Sequence, residues 1–217
     1  MRYRAVIFDV DGTLLDTLQD IGEAVNNVLK KFGFQEHPLE AYRYFVGDGT
    51  ETLVRRAFPD QSITKDELTA RVEAVKKEYK LRWSRTTRPY PGVPELLDFL
   101  EENNIPKALL SNKYHEFVIL TVQTLLPRWN FEQTLGVQDG IPPKPDPYRA
   151  LLLSRKLQVQ PEQVVYVGDT GTDMQTAKAA GFYPVGALWG FRSLEELKDN
   201  GAALIAEKPT DIIKLFS

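Results

Sequence analysis

Residues 6–16 read VIFDVDGTLLD: three apolar residues run into Asp9 and Asp11, one valine apart, and the chain then turns at Gly12 and Thr13. Carboxylates placed that close repel, so a fold that keeps them shares a cation or a proton between them. Three later stretches carry groups that could join them: LLSNK with Ser111, Asn112 and Lys113, PPKPDP with Lys144, and VGDTGTD with Asp169, Thr170 and Asp173. Carboxylates, a hydroxyl and an ammonium fit phosphoryl transfer, in which an anionic ester must be shielded before a carboxylate can attack it. In that chemistry Asp9 attacks phosphorus, Ser111 and Lys144 hold the phosphoryl oxygens, and backbone N–H groups around Asp11 add donors. Asp11 protonates the leaving oxygen and later takes a proton from water. Asp169 completes a carboxylate shell for Mg²⁺, with Asp173 beside it or one shell out.

The elements that must position these groups alternate. Short apolar runs at 3–8, 106–111, 132–137, 163–168 and 182–188 read as strands of a sheet covered on both faces, and helical patterns at 92–103, 114–126, 146–157 and 171–180 lie between them. That order predicts an α/β fold, a doubly wound Rossmann-like parallel sheet whose ligands gather beyond the carboxyl ends of the strands. Each candidate loop follows a predicted strand, which places all four on one edge. Residues 16–88 break the rhythm with helical stretches only, among them 18–32 and 65–85. They read as an all-helical cap domain (16–88) inserted into a core made of 1–15 and 89–217.

Composition narrows the setting. The chain has 217 residues, no cysteine and a net charge of −3, with Lys and Arg scattered among Asp and Glu. It can bury a large core without disulfides. Nothing resembles a basic stripe, a signal peptide or a bilayer-length apolar run, so nucleic acid and membrane are not expected partners and a cytoplasmic location is. A calcium loop also begins D-x-D, but Leu14 stands where that loop needs glycine and Asp20 where it needs glutamate. His37 and His115 have no partners at metal-ligand spacing, and Trp83, Trp129 and Trp189 read as packing residues. Oligomeric state is not legible.

FDVDGTLLDT, LLSNK, PPKPDP and VGDTGTDMQTAKAAG, in that order and spacing, resemble the four motifs of the haloacid dehalogenase superfamily of aspartate-nucleophile phosphohydrolases, over essentially the whole chain. The helical insert, with YRYFVGDGTETLVRRAF, and the late WGFRSLEELKDNGA are similar to the phosphoglycolate phosphatase-like branch. The resemblance implies a nucleophile at Asp9, an acid/base at Asp11, phosphate binding by Ser111, Asn112 and Lys144, and Mg²⁺ held by Asp9, Asp169 and the backbone carbonyl of Asp11. Asp173 is similar to the family's further acidic residue, and Thr170 stands where serine is commoner. The implied substrate is a small phosphorylated metabolite, with 2-phosphoglycolate first. A pyrophosphatase, a sugar or nucleotide phosphatase or a phosphomutase remains open on the same scaffold, as does a phosphate-accepting signalling domain that is not an enzyme. In the insert, Gly47 and Gly49 bound a turn before a helix that carries Arg55 and Arg56; either that helix N-terminus or an arginine is a candidate for a substrate carboxylate, against a simple surface pair of Glu51 with Arg55.

Overall fold

The computed structural model describes residues 2–59 and 62–217. Six parallel strands form the main sheet: β1 (Ala5–Phe8), β4 (Lys107–Tyr114), β5 (Gln133–Val137), β6 (Val164–Gly168), β7 (Tyr183–Ala187) and β8 (Leu204–Ala206), in the spatial order β5-β4-β1-β6-β7-β8. The order reverses at β1, which lies between β4 and β6, so the crevice at its carboxyl end opens where the chain first departs. Alternation along β1 serves two cores: Val6 and Phe8 join one apolar cluster, Ala5 and Ile7 another. Both faces are covered, by α5 (Val93–Glu102), α6 (His115–Leu125), α7 (Tyr148–Lys156) and α8 (Gly171–Ala180). The α/β reading therefore holds.

Between β1 and α5 the chain forms α1 (Leu18–Lys31), α2 (Tyr42–Phe45), α3 (Thr50–Ala57) and α4 (Lys65–Lys80). Their inner faces bury a third cluster around Ile21, Val25, Tyr42, Leu53, Val54 and Val75, into which Phe117 of α6 and Phe191 also pack. A short antiparallel ribbon, β2 (Leu15–Asp16) with β3 (Arg88–Pro89), sets the outgoing and returning crossings side by side. Asp20, buried in the first turn of α1, locks that junction: its carboxylate accepts from the amides and hydroxyls of Thr86 and Thr87 at 2.7–3.1 Å.

Three features depart from expectation. The helix expected over 65–85 stops at Lys80, because the amides of Leu81 and Arg82 turn back to Glu78 and Tyr79 three residues earlier. The ribbon and β8 offer two or three residues each, too few to show a period. The short α9 (Leu194–Asp199) begins at a Ser193 cap that the sequence reading passed over. Among the described residues no helix is long and apolar enough to cross a membrane.

Candidate active site

The four predicted segments meet, but Ser111, Asn112 and Lys113 do so on β4 itself, because that strand runs on to Tyr114, past the end expected at 111, and passes directly into α6. Asp9 follows β1 and is 4% exposed; its amide bonds to Val167 O on β6. Lys144, 3% exposed, reaches in from the loop before α7 and places Nζ 3.1 Å from Asp9 Oδ1 and 2.6 Å from Asp173 Oδ1. Asp173 is held from all sides. Its Oδ1 also accepts from the Tyr166 hydroxyl at 3.2 Å, and its Oδ2 accepts from the Thr170 amide and hydroxyl, because Thr170 and Asp173 form the capping box that starts α8. Thr170 thus keeps the hydroxyl that this position needs.

Asp169 completes the group. Its Oδ1 accepts from Thr13 Oγ1 and its Oδ2 from the Phe191 amide, each at 2.9 Å. The approach is close enough that a Cβ on Gly12, whose φ is +82°, would lie 2.2 Å from Asp169 Oδ2. Only glycine serves there. Asp9, Asp169 and Asp173 each offer an oxygen within 4.8 Å of the others, and all three are buried.

Electrostatically this is one ammonium for three carboxylates. Burial pushes Asp9 up, Lys144 pulls it down, and Asp173 and Asp11 push it up again, leaving it at about 7. Burial, then Asp173 and Asp9, hold Asp169 well above the carboxylate range despite its two hydrogen bonds. For Lys144 burial works against the charge, but Asp173 and Asp9 overturn it and keep the ammonium protonated. Asp9 Oδ1, buried, has charge contact with Lys144 but no hydrogen bond of acceptable geometry. An all-oxygen cluster with surplus negative charge and an orphaned carboxylate oxygen fits a small hard divalent cation.

Asp11 lines the same cavity as Asp9 but stands apart from the cluster. Its carboxylate pairs with Lys113 Nζ at 2.6 Å and lies outside the three-carboxylate cluster, so any part in holding a metal falls to its backbone carbonyl. Lys113 sits in turn over the Tyr79 ring from α4, 4.8 Å from its centroid. Ser111 Oγ accepts from the Lys113 amide, which leaves its proton free to donate.

Several expected substrate contacts are spoken for by the fold. The amides of Gly12 and Thr13 bond within their own turn, to Leu15 O and Val10 O, and the Thr13 hydroxyl goes to Asp169. Asn112 lies in the site but binds its neighbours: Oδ1 accepts from the Lys144 amide and Arg149, and Nδ2 donates to Lys144 O and Gly47 O. It ties loops together. Arg55 bonds to Glu51 on the surface of α3, while Arg56 bonds to Asp48 and the carbonyls of Tyr44 and Phe45. Neither arginine lines the cavity beside Asp9; Gly47, Gly49 and Thr50 do.

Sequence reasoning missed Arg149, almost wholly buried, which bonds Pro142 O, Ser111 O and Asn112 Oδ1 and so joins the end of β4 to the Lys144 loop. It also gave no role to Lys113 and overlooked Lys76, which lines the cavity. The only available signal for Lys113 was its place directly after Ser111 and Asn112; Lys76 sits among the charged residues of α4 and carried none.

Comparison with known proteins agrees with this geometry. The family described as haloacid dehalogenase-like hydrolase matches residues 6–187. A phosphoglycolate phosphatase of Pseudomonas putida is 33% identical over 97% of this chain and 76% of its own length, and one of Aquifex aeolicus is 30% identical over 98% and 96%. The crystal structure of a protein described as a predicted phosphoglycolate phosphatase from Haemophilus somnus superposes with a TM-score of 0.92 at 25% identity, covering 100% of this chain and 99% of that one. With its four predicted segments converged on one crevice, the chain belongs to the haloacid dehalogenase-like hydrolases and is phosphoglycolate phosphatase-like in sequence.

Proposed function

We propose that the protein is a Mg²⁺-dependent phosphatase that hydrolyses 2-phosphoglycolate through an aspartyl phosphate on Asp9. The observation that carries this reading is the pairing of one buried ammonium, Lys144, with Asp9 and Asp173 while Asp9 Oδ1, buried beside it, makes no hydrogen bond. The names of the relatives supply the substrate. Asp9, Asp169 and the Asp11 carbonyl would hold the metal, with Asp173 alongside; when bound, the ion offsets the charge of the carboxylates and of the phosphoryl group.

The protein's own groups do the rest. An Asp9 oxygen bonds to phosphorus as the ester P–O bond breaks, and the bonding pair leaves on the glycolate oxygen, which takes a proton from Asp11. Water then attacks the phosphorus of the Asp9 phosphate and gives a proton to Asp11, the Asp9 O–P bond breaks with its pair returning to the carboxylate, and inorganic phosphate is released. Lys113 aims Asp11, and Lys144 and Ser111 hold the phosphoryl oxygens. Residues 16–88 act as a cap over a core of 1–15 and 89–217, and closure excludes water.

The test is phosphate release by the purified protein from a panel of phosphomonoesters and pyrophosphate, with and without Mg²⁺. We expect the highest kcat/KM on 2-phosphoglycolate, activity lost with chelator and restored by Mg²⁺ but not Zn²⁺, and inhibition by Ca²⁺. A tenfold preference for another member of the panel would replace the substrate; restoration by Zn²⁺ alone would overturn the metal.

A further inference from the structure

Resting on the phosphatase reading, we infer that Lys76 of α4 is the specificity-determining cation of the cap, and that it selects phosphomonoesters whose leaving group carries a compact second anion. The cavity beside Asp9 is small, about 70 Å³, against the roughly 300 Å³ or more of a drug-sized ligand site. It admits a leaving group of a few heavy atoms. Away from Asp9, Asp11 and Ser111 its wall is largely apolar, with Ile21, Ala24, Leu53, Val75 and Phe117. A sugar or nucleoside in that space would bury hydroxyls with few partners, at a cost that favours small acids.

Among the residues lining the cavity two are cations, Lys76 and Lys113. Lys113 is committed to the Asp11 carboxylate at 2.6 Å. Lys76 is committed to nothing in the core: its ammonium lies 3.2 Å from Glu73, a half-exposed neighbour one turn back, and 4.3 Å from the centroid of the Tyr114 ring, which also lines the cavity. An exposed pair at that spacing contributes little, so the ammonium can exchange Glu73 for an anion inside. The apolar wall around it strengthens such a contact, because few waters compete for either partner. Arg55 and Arg56, on the helix that follows the Gly47 turn, do not line the cavity and pair with Glu51 and Asp48.

The experiment measures kcat/KM for 2-phosphoglycolate, 2-phospholactate and ethyl phosphate with wild type, Lys76→Met and Lys76→Arg. Ethyl phosphate keeps the two-carbon chain of phosphoglycolate without its carboxylate. In Lys76→Met the ratio of carboxylated to neutral substrate should fall about tenfold to a hundredfold, the range of one charge-assisted hydrogen bond, and Lys76→Arg should recover most of it. If Lys76→Met lowers all three substrates by one factor, or none, the inference is overturned while the phosphatase reading stands. If wild type turns over phospholactate and not phosphoglycolate, the substrate proposed above is wrong and the role of Lys76 is read from phospholactate. Failure of wild type on every phosphomonoester would overturn both.

Discussion

Asp9 and Lys144 set the charge balance of the crevice, and each predicts a different failure. Asp9→Asn removes the proposed nucleophile but replaces a buried, disfavoured charge by an amide of the same shape, so turnover should fall by roughly 10⁴-fold or more with no loss of Tm. Steady-state phosphate release and a melting curve on the same preparation check this; residual turnover near wild type would remove Asp9 as nucleophile. Lys144→Met strands Asp173 and Asp9 without their buried cation, and should cost about 3–5 kcal/mol of stability as well as activity, read by urea unfolding. Asp9, Asp11, Ser111, Lys144, Asp169 and Asp173 were all legible as candidates because each lies at or beyond the carboxyl end of a predicted strand, before or in the first turn of the next helix, where a parallel sheet puts its ligands. The second tasks of Thr13, Asn112 and Arg149 were not, since their partners lie far away in sequence: Thr13 meets Asp169 across 156 residues and Arg149 meets Asn112 across 37.

At the scale of elements, the strands and helices of the sheet could be read because they bury whole faces, while the ribbon β2–β3 could not, being held by one acid. Asp20 looks like an ordinary first-turn acid of an amphipathic helix. Its actual work is to bind Thr86 and Thr87 at the point where the helical block rejoins the sheet. Burial alone would raise its carboxyl, but the bonds from Thr87 and Thr86 outweigh that and hold it below the usual range. A depressed folded-state value stabilises the protein above the unfolded carboxylate pKa of about 4, and the benefit disappears as pH falls through the lower folded value. Asp20→Ala should therefore lower stability by about 2–3 kcal/mol at pH 7, or roughly 5–10 °C in Tm, and the gap to wild type should narrow below about pH 4. A gap that is constant from pH 7 to pH 3 would assign the effect to packing instead.

Across the whole molecule, the helical block and the sheet grip each other through loop 189–192. Arg43, next to the block's Tyr44, donates to Gly190 O at 2.5 Å and Phe191 O at 3.2 Å, and Arg192 reaches back to Tyr44 O and Val46 O. The Phe191 amide between them is the one that holds Asp169. Arg43→Ala should thus weaken Mg²⁺ binding by about tenfold although Arg43 touches no candidate ligand, as measured by titration calorimetry; unchanged affinity would uncouple the grip from the metal site. The WGFR stretch was visible as a family resemblance, but its bond to Asp169 was not, because a backbone amide leaves no mark in a sequence. The sheet order also dictates when this protein becomes itself during synthesis. Asp9 and Asp11 leave the ribosome early, yet β1 lies between strands that arrive much later, and the residue that fixes Thr13 comes 156 positions behind it. At 5–20 residues per second that is a delay on the order of ten to thirty seconds, in which the helical block can settle through its own local contacts while the acidic pair stays hydrated and chemically idle. The nascent chain completes its helical block before it has the crevice that the block adjoins.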